Sequence, residues 1–159
     1  MPLNDDIFRL LDESVLCWLA TSSADGQPSV SPKEIYAPFN NDSVIIANIA
    51  SPNSARNIRE NPRACVSFIN VFTQKGFQLK GVASYLRDGD MQYDEMQRIL
   101  HNLTAGKFPF KSIFRVMADE ISEIIAPRYR LFPETTEEDQ VSSAMHTYGV
   151  QPGKDSFKN

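Results

Sequence analysis

The apolar positions of this chain change period several times, and each change marks an element. Between Asp5 and Ser14, Ile7, Leu10 and Leu11 fall on one helical face, Asn4 stands where a cap is needed, and Asp5 and Asp6 occupy the first turn, where the helix dipole favours carboxylates. Val15 to Thr21 has no polar interruption and is β-branched and aromatic, which predicts a strand covered on both faces. Asp25-Gly26 then marks a hairpin turn. The return strand, Pro28 to Phe39, is less regular: Pro32 removes a ladder hydrogen bond and Lys33-Glu34 puts two charges in its middle. Such a strand is an edge, a bulge, or a place where something other than protein covers the backbone. Its face carrying Ser29, Ser31 and Lys33 either meets a polar ligand or is a solvated edge blunted by lysine.

Ser43 to Asn48 gives a third strand, Ser51 to Pro62 a short helix, and Arg63 to Val71 a fourth strand. In Phe77 to Arg87, Phe77, Leu79, Gly81, Ala83 and Tyr85 alternate against Gln78, Lys80, Val82, Ser84 and Leu86, the period of a strand with one buried face. Met96, Ile99, Leu100 and Leu103 are the stripe of a helix from about Asp90, followed by a loop, Phe108-Pro109-Phe110, with exposed aromatics placed to cover a neighbour. Ser112 to Ala126 is the sixth strand, and Thr136 with Asp139 three residues on opens a last helix, to about Tyr148, as a capping box. Short strands, tight turns and peripheral helices predict a mainly β fold, a six-stranded antiparallel split barrel with flanking helices. One domain over residues 1–149 and a polar tail over 150–159 account for the chain.

One junction carries candidate chemistry. The apolar run Val44-Ile45-Ile46-Ala47 delivers the chain into Ser51, a potential cap, and Pro52, tolerated at a first helical position because its missing N–H would be an orphan there. A helix start with free N–H groups, the hydroxyls of Ser51 and Ser54 and the guanidinium of Arg56 suits a phosphate. The competing reading is an ordinary surface helix with Arg56 and Glu60 paired four residues apart.

Composition narrows the function. With 16 Lys and Arg against 20 Asp and Glu in 159 residues, the formal charge is −4. No basic cluster is present to hold a nucleic-acid backbone. The N-terminus lacks a basic and then apolar leader, and no apolar run reaches membrane-spanning length, so a cytoplasmic protein is expected. Cys17 and Cys65 sit in apolar runs and read as small hydrophobes rather than a disulfide or metal site. No glycine-rich phosphate fingerprint, nucleophile elbow or zinc-binding histidine pair occurs, and His101 and His146 have no partner spacing. No catalytic side chain is evident, so any chemistry falls to an organic cofactor.

In Leu19-Ala20-Thr21 running into Asp25-Gly26, in Ser51 to Pro62 running into Arg63, and in Gln74-Lys75-Gly76-Phe77-Gln78-Leu79-Lys80-Gly81, the sequence resembles the FMN-binding split-barrel family that includes the pyridoxamine 5'-phosphate oxidases. The likeness covers roughly residues 5 to 149. Within the family the chain looks like the short oxidase-related FMN-binding proteins, whose C-terminal segment is similar to Ala126-Pro127-Arg128-Tyr129. The resemblance implies a homodimer with FMN in clefts between the subunits. By position, Ser51, Asn53, Ser54 and Arg56 would surround the FMN phosphate, with Lys33 approaching from the second strand. The ring would lie along Ser31 to Glu34 and along Ile46 to Ile49, which includes Ala47 and Asn48. Gln74 and Lys75 would face its pyrimidine side, the other subunit being one source of them. A cation at that edge stabilises reduced flavin and raises its potential.

Two departures from the oxidases stand out. Their Ser-Arg-Lys run at this helix start has Ser54 in the lysine position here, and their Arg-containing end is replaced by Gly-Lys-Asp-Ser-Phe-Lys-Asn. Phosphate charge compensation then falls to Arg56 or Lys33, and pyridoxamine phosphate is not the expected substrate. The reading that follows is an FMN-dependent oxidoreductase acting on a small molecule. The alternatives are a non-catalytic FMN-binding electron carrier or sensor, a split barrel holding haem or a deazaflavin, and a cofactor-free interaction domain.

Overall fold

The computed structural model describes residues 2–153. Of the tail expected over 150–159, residues 154–159 lie outside the described residues. The elements are α1 (Asp5–Glu13), β1 (Cys17–Ser22), β2 (Pro28–Lys33), β3 (Tyr36–Phe39), β4 (Ser43–Ala47), α2 (Pro52–Glu60), β5 (Arg63–Asn70), β6 (Lys75–Arg87), α3 (Tyr93–Leu103), β7 (Ser112–Ile125), α4 (Pro127–Leu131) and α5 (Glu137–Tyr148).

The strands form one antiparallel sheet in the order β2-β1-β5-β6-β7-β4-β3. Its two edges, β2 and β3, are consecutive in the chain and separated only by Glu34 and Ile35. In a flat sheet of this order the edges would lie roughly 29 Å apart, six spacings of about 4.8 Å. Three Cα steps from Lys33 to Tyr36 span at most about 11 Å. The sheet must therefore curl until its edges meet, and the result is a half-barrel with a seam at Glu34-Ile35. Across the seam the Ala47 N–H donates to the Ile35 carbonyl at 3.0 Å. The single strand expected over Pro28 to Phe39 is thus two, and the strands number seven rather than six. The charged pair Lys33-Glu34 sits where one edge hands over to the other.

β6 keeps the alternation read from its sequence: Leu79, Gly81 and Ala83 are buried, and Gln78, Lys80, Val82 and Ser84 are exposed. The strand covered on both faces is β4, packed between the barrel interior and α3, and not β1. The outer face of β1 is only partly covered among the described residues: Trp18 remains 43% exposed while Cys17, Leu19 and Thr21 are buried. One core cluster fills the half-barrel with Leu19, Val66, Phe68, Leu79 and Phe114, closed by Ile7, Leu10 and Leu11 of α1 and by Ala55 and Ile58 of α2. A second lies under α3, where Met96, Leu100 and Tyr93 pack on Ile45 and Ile113.

Several local expectations hold. Asn4 Oδ1 accepts from the Ile7 N–H at 3.0 Å, and Thr136 with Asp139 forms a reciprocal capping box. Cys17 is buried and Cys65 half-buried, both as free thiols. α3 begins at Tyr93 rather than Asp90, because Asp90 Oδ2 first accepts the Arg87 N–H at 2.7 Å in the turn that ends β6. Leu103, expected on the buried stripe, is exposed, and Tyr93 is buried in the stripe's first turn. Among the described residues no helix is long and apolar enough to cross a membrane.

Candidate functional site

Where the seam meets the start of α2, the chain leaves a cleft of about 520 Å³. That is within the range of about 300–1,000 Å³ usual for small-ligand sites. One part is polar, lined by Ser31, Lys33, Glu34 and Ser51; the rest is apolar, from Leu16, Ile35, Ala47, Ile49 and Phe108. The strand break at Glu34-Ile35 supplies one wall, and the β4-to-α2 connection supplies the other.

Lys33 is the unusual group. It is only 8% exposed, and its Nζ donates to Ser51 Oγ. Among the described residues no carboxylate forms an ion pair with it, whereas Lys75 meets Glu137 at 2.7 Å and Lys80 meets Glu120 at 2.6 Å. Burial lowers its pKa, because desolvation penalises the charged form. Beside it Cys17, paired with Lys33 across β1 and β2, has its thiol pushed up to about 12 by burial. A buried ammonium without a counter-ion attracts an anion from outside. Ser31 adds a second unfinished contact, since its Oγ is buried and makes no hydrogen bond among the described residues. Buried hydroxyls ordinarily find a partner.

The helix start completes the polar part. Ser51 holds the cap position of α2, but its side chain makes no cap bond, contrary to the expectation from sequence; the hydroxyl is engaged by Lys33 instead. Pro52 has no N–H, so the Asn53 and Ser54 amides are the first donors left without partners inside the helix. They lie two and three residues beyond the cleft-lining Ser51, at the positive end of the helix dipole. Asn48 fixes this corner from behind. Its Oδ1 accepts from the Ser51 N–H at 3.2 Å, and its Nδ2 donates to Ser112 Oγ at 2.9 Å.

The cleft gathers some of the residues expected from sequence and not others. Ser31, Lys33, Glu34, Ala47 and Ser51 line it. Asn48 stands behind its wall. Asn53 and Arg56 sit exposed on the first turns of α2, where Arg56 donates to Asn53 Oδ1 at 3.2 Å, and among the described residues Arg56 and Glu60 form no ion pair, unlike the ordinary-helix reading. Ser54 is 3% exposed, on the face of α2 that packs on β1, where Asn57 Nδ2 donates to Thr21 Oγ1 at 3.1 Å. Gln74 and Lys75 belong to another part of the sheet: the register runs Lys33 to Cys17 to Phe68 to Phe77, three strands across. There Lys75 pairs with Glu137 and lies 4.9 Å from the Tyr129 ring.

Sequence reasoning missed Leu16, Ile35, Ala50 and the wall residue Phe108. Ala50 has φ +55°, a left-handed conformation costly for a residue with a Cβ, at the turn that aims the chain into α2. Nothing in an alanine signals that.

A curled antiparallel half-barrel whose seam holds a half-polar, half-apolar cleft beside a helix start is a split barrel. The family model for pyridoxamine 5'-phosphate oxidase matches residues 3–125, from before α1 to the end of β7, and the chain belongs to that family. Solved structures share the fold. HupZ from Group A Streptococcus is 18% identical, with 76% of this chain and 93% of that one aligned at a TM-score of 0.66. An FMN-binding protein from Syntrophomonas wolfei is 15% identical over 76% and 84% of the two chains, TM-score 0.63. A FAD-binding protein from Mesorhizobium loti is 21% identical over 77% and 95%, TM-score 0.58. No curated protein matches the chain.

Proposed function

We propose that this protein is an FMN-binding oxidoreductase of the pyridoxamine 5'-phosphate oxidase-related kind, acting on a small molecule other than pyridoxamine phosphate, and working as a homodimer. The observation that carries the reading is Lys33, a buried lysine with no carboxylate partner among the described residues, set between an unsatisfied Ser31 hydroxyl and the start of α2. These residues fit a phosphate monoester attached to a flat, largely apolar group. Lys33 and the first amides of α2 bind the phosphate, Ser31 offers its hydroxyl to a polar edge, and Leu16, Ile35 and Ile49 exclude water from the ring. Bound FMN would supply the redox centre that the side chains lack.

Two relatives of this fold, the Syntrophomonas wolfei and Mesorhizobium loti proteins, bind FMN and FAD, which favours a flavin over other occupants. The cleft is open on one side, and Trp18 and Val30 are exposed on the neighbouring strands β1 and β2, consistent with a second copy closing the site. In that arrangement Gln74 and Lys75 reach a flavin only from the partner. Ser54 stands where the oxidases carry a lysine, so charge compensation for the FMN phosphate falls to Lys33 and Arg56.

Titration of the purified protein with FMN, followed by flavin fluorescence and light scattering, tests this. A yellow dimer binding one FMN per chain is expected; a protein that takes up no flavin rejects the reading. Turnover with reduced nicotinamides and common acceptors separates an oxidoreductase from a carrier, and haem or deazaflavin would announce itself by its own absorbance.

A further inference from the structure

The cleft has an apolar wall that neither strand of the seam provides. The loop between α3 and β7 crosses to it and places Phe108 against the same space that Lys33 and Ser31 line. Phe108 is 51% exposed, so this chain covers only part of the ring. A large aromatic left half bare is an unused apolar contact. The loop around it is held firmly. Phe110, two residues on, is 7% exposed and its ring stacks on His101 at 4.7 Å and 21°. The Gly106 N–H donates to the His101 carbonyl at 3.0 Å and the Lys107 N–H to the Thr104 carbonyl at 3.1 Å, with Ala105 and Gly106 both left-handed. A side chain presented on so closely tied a loop is presented in place and loses little freedom on binding a ligand.

We infer that Phe108 is the aromatic wall of the flavin site, lying against the tricyclic ring while Lys33 and the start of α2 hold the phosphate. This rests on the flavin reading of the cleft and adds a specificity element to it: the ligand must bring a planar, polarisable surface as well as an anionic tail. The sequence reading gave Phe108 to a neighbour, and that competing role is distinguishable.

The test uses FMN and riboflavin, which share the ring and differ in the phosphate, with binding followed by flavin fluorescence and self-association by light scattering. Phe108→Ala weakens both ligands about tenfold, leaving their affinity ratio unchanged, as loss of a ring contact requires. Phe108→Tyr keeps the aromatic face and stays within about threefold of the parent. Lys33→Met does the opposite and lowers FMN affinity far more than riboflavin affinity. Thermal unfolding of each apoprotein reports that the variant is folded. FMN binding by Phe108→Ala within twofold of the parent overturns the inference, and so does a change in self-association with affinity intact, which would return Phe108 to the neighbour. A parent protein that binds neither flavin rejects the cofactor reading itself, and the inference with it.

Discussion

Lys33 and Ser51 are joined by a hydrogen bond from ammonium to hydroxyl across the seam of the half-barrel. The bond links the last residue of β2 to the residue that opens α2, and it removes from Ser51 the capping duty its position suggests. The helix start is therefore left with its dipole and its first amides uncompensated, a few residues from a buried cation. Both features add positive potential at one place. A fold that had only to be stable would relieve them with a carboxylate, and none of the described carboxylates pairs there.

Because the two residues act on each other, their effects on stability are coupled. Ser51→Ala strands a buried ammonium and is expected to destabilise the apoprotein by about 1–2 kcal/mol. In a Lys33→Met background the same change should cost close to nothing. Urea denaturation of the four proteins gives the coupling energy. A Ser51→Ala cost that persists without Lys33 would mean the hydroxyl caps the helix after all, as Asn4 does for α1, where removal should cost about 1 kcal/mol in either background.

The same burial sets a pH dependence. Desolvation holds the Lys33 pKa in the folded protein below its unfolded value. The unfolded chain then binds more protons than the native one as pH rises from the folded pKa towards the unfolded value, which is about 10.4. Apoprotein stability from this group rises through that window instead of falling. An anion seated beside Lys33 favours the ammonium and cancels the effect. Melting temperatures of apoprotein measured towards pH 10 should climb relative to Lys33→Met, and saturating FMN should abolish the difference; parallel curves for the two apoproteins would remove Lys33 as the source.

Arg56 is exposed and already bonded to Asn53, so its attraction for a phosphate is screened by water and salt. Arg56→Ala is expected to weaken FMN about threefold to tenfold, and by less as ionic strength increases. Lys33→Met, which removes a desolvated charge-assisted contact, should cost about tenfold to a hundredfold with little salt dependence. Combining Arg56→Ala with Ser54→Ala adds a few kcal/mol of loss only if the buried Ser54 hydroxyl also turns to the phosphate. Fluorescence titration at two salt concentrations ranks the three.

Much of this was legible in the chain because it rests on local chemistry. The alternation of β6, the Asn4 and Thr136 caps and the Pro52 helix start are written in residues a few positions apart, and the structure has them. The conflict of Pro32, Lys33 and Glu34 with a regular strand was also visible, and it marks the seam. What could not be read depends on contacts distant in sequence. Whether β1 or β4 is buried on both faces is decided by where α3 packs, and Phe108 reaches the cleft only because the β7 connection folds back over β4. The Ser51 hydroxyl faced two partners, and a lysine 18 residues earlier prevailed over its own helix.

The last relationship concerns β6 and β7, the long antiparallel pair, joined through α3, that forms the spine of the sheet. β6 and β7 slip register between Lys80 and Gly81, where Lys80 pairs with Glu120 and Gly81 with Ala118, so Asp119 bulges out and meets Arg63 at 2.6 Å. The bulge brings the strands together so closely that a Cβ on Gly81 would lie 1.8 Å from the Met117 carbonyl oxygen. Backbone, not a yielding side chain, is what it would strike. Gly81→Ala is therefore expected to destabilise the protein by at least about 2 kcal/mol, through displacement of β7 from β6. Removing the exposed Arg63–Asp119 pair by Asp119→Ala should cost no more than about 1 kcal/mol. Urea midpoints compare the two. Equal small losses would mean that the bulge is held by its ion pair and that the glycine is incidental.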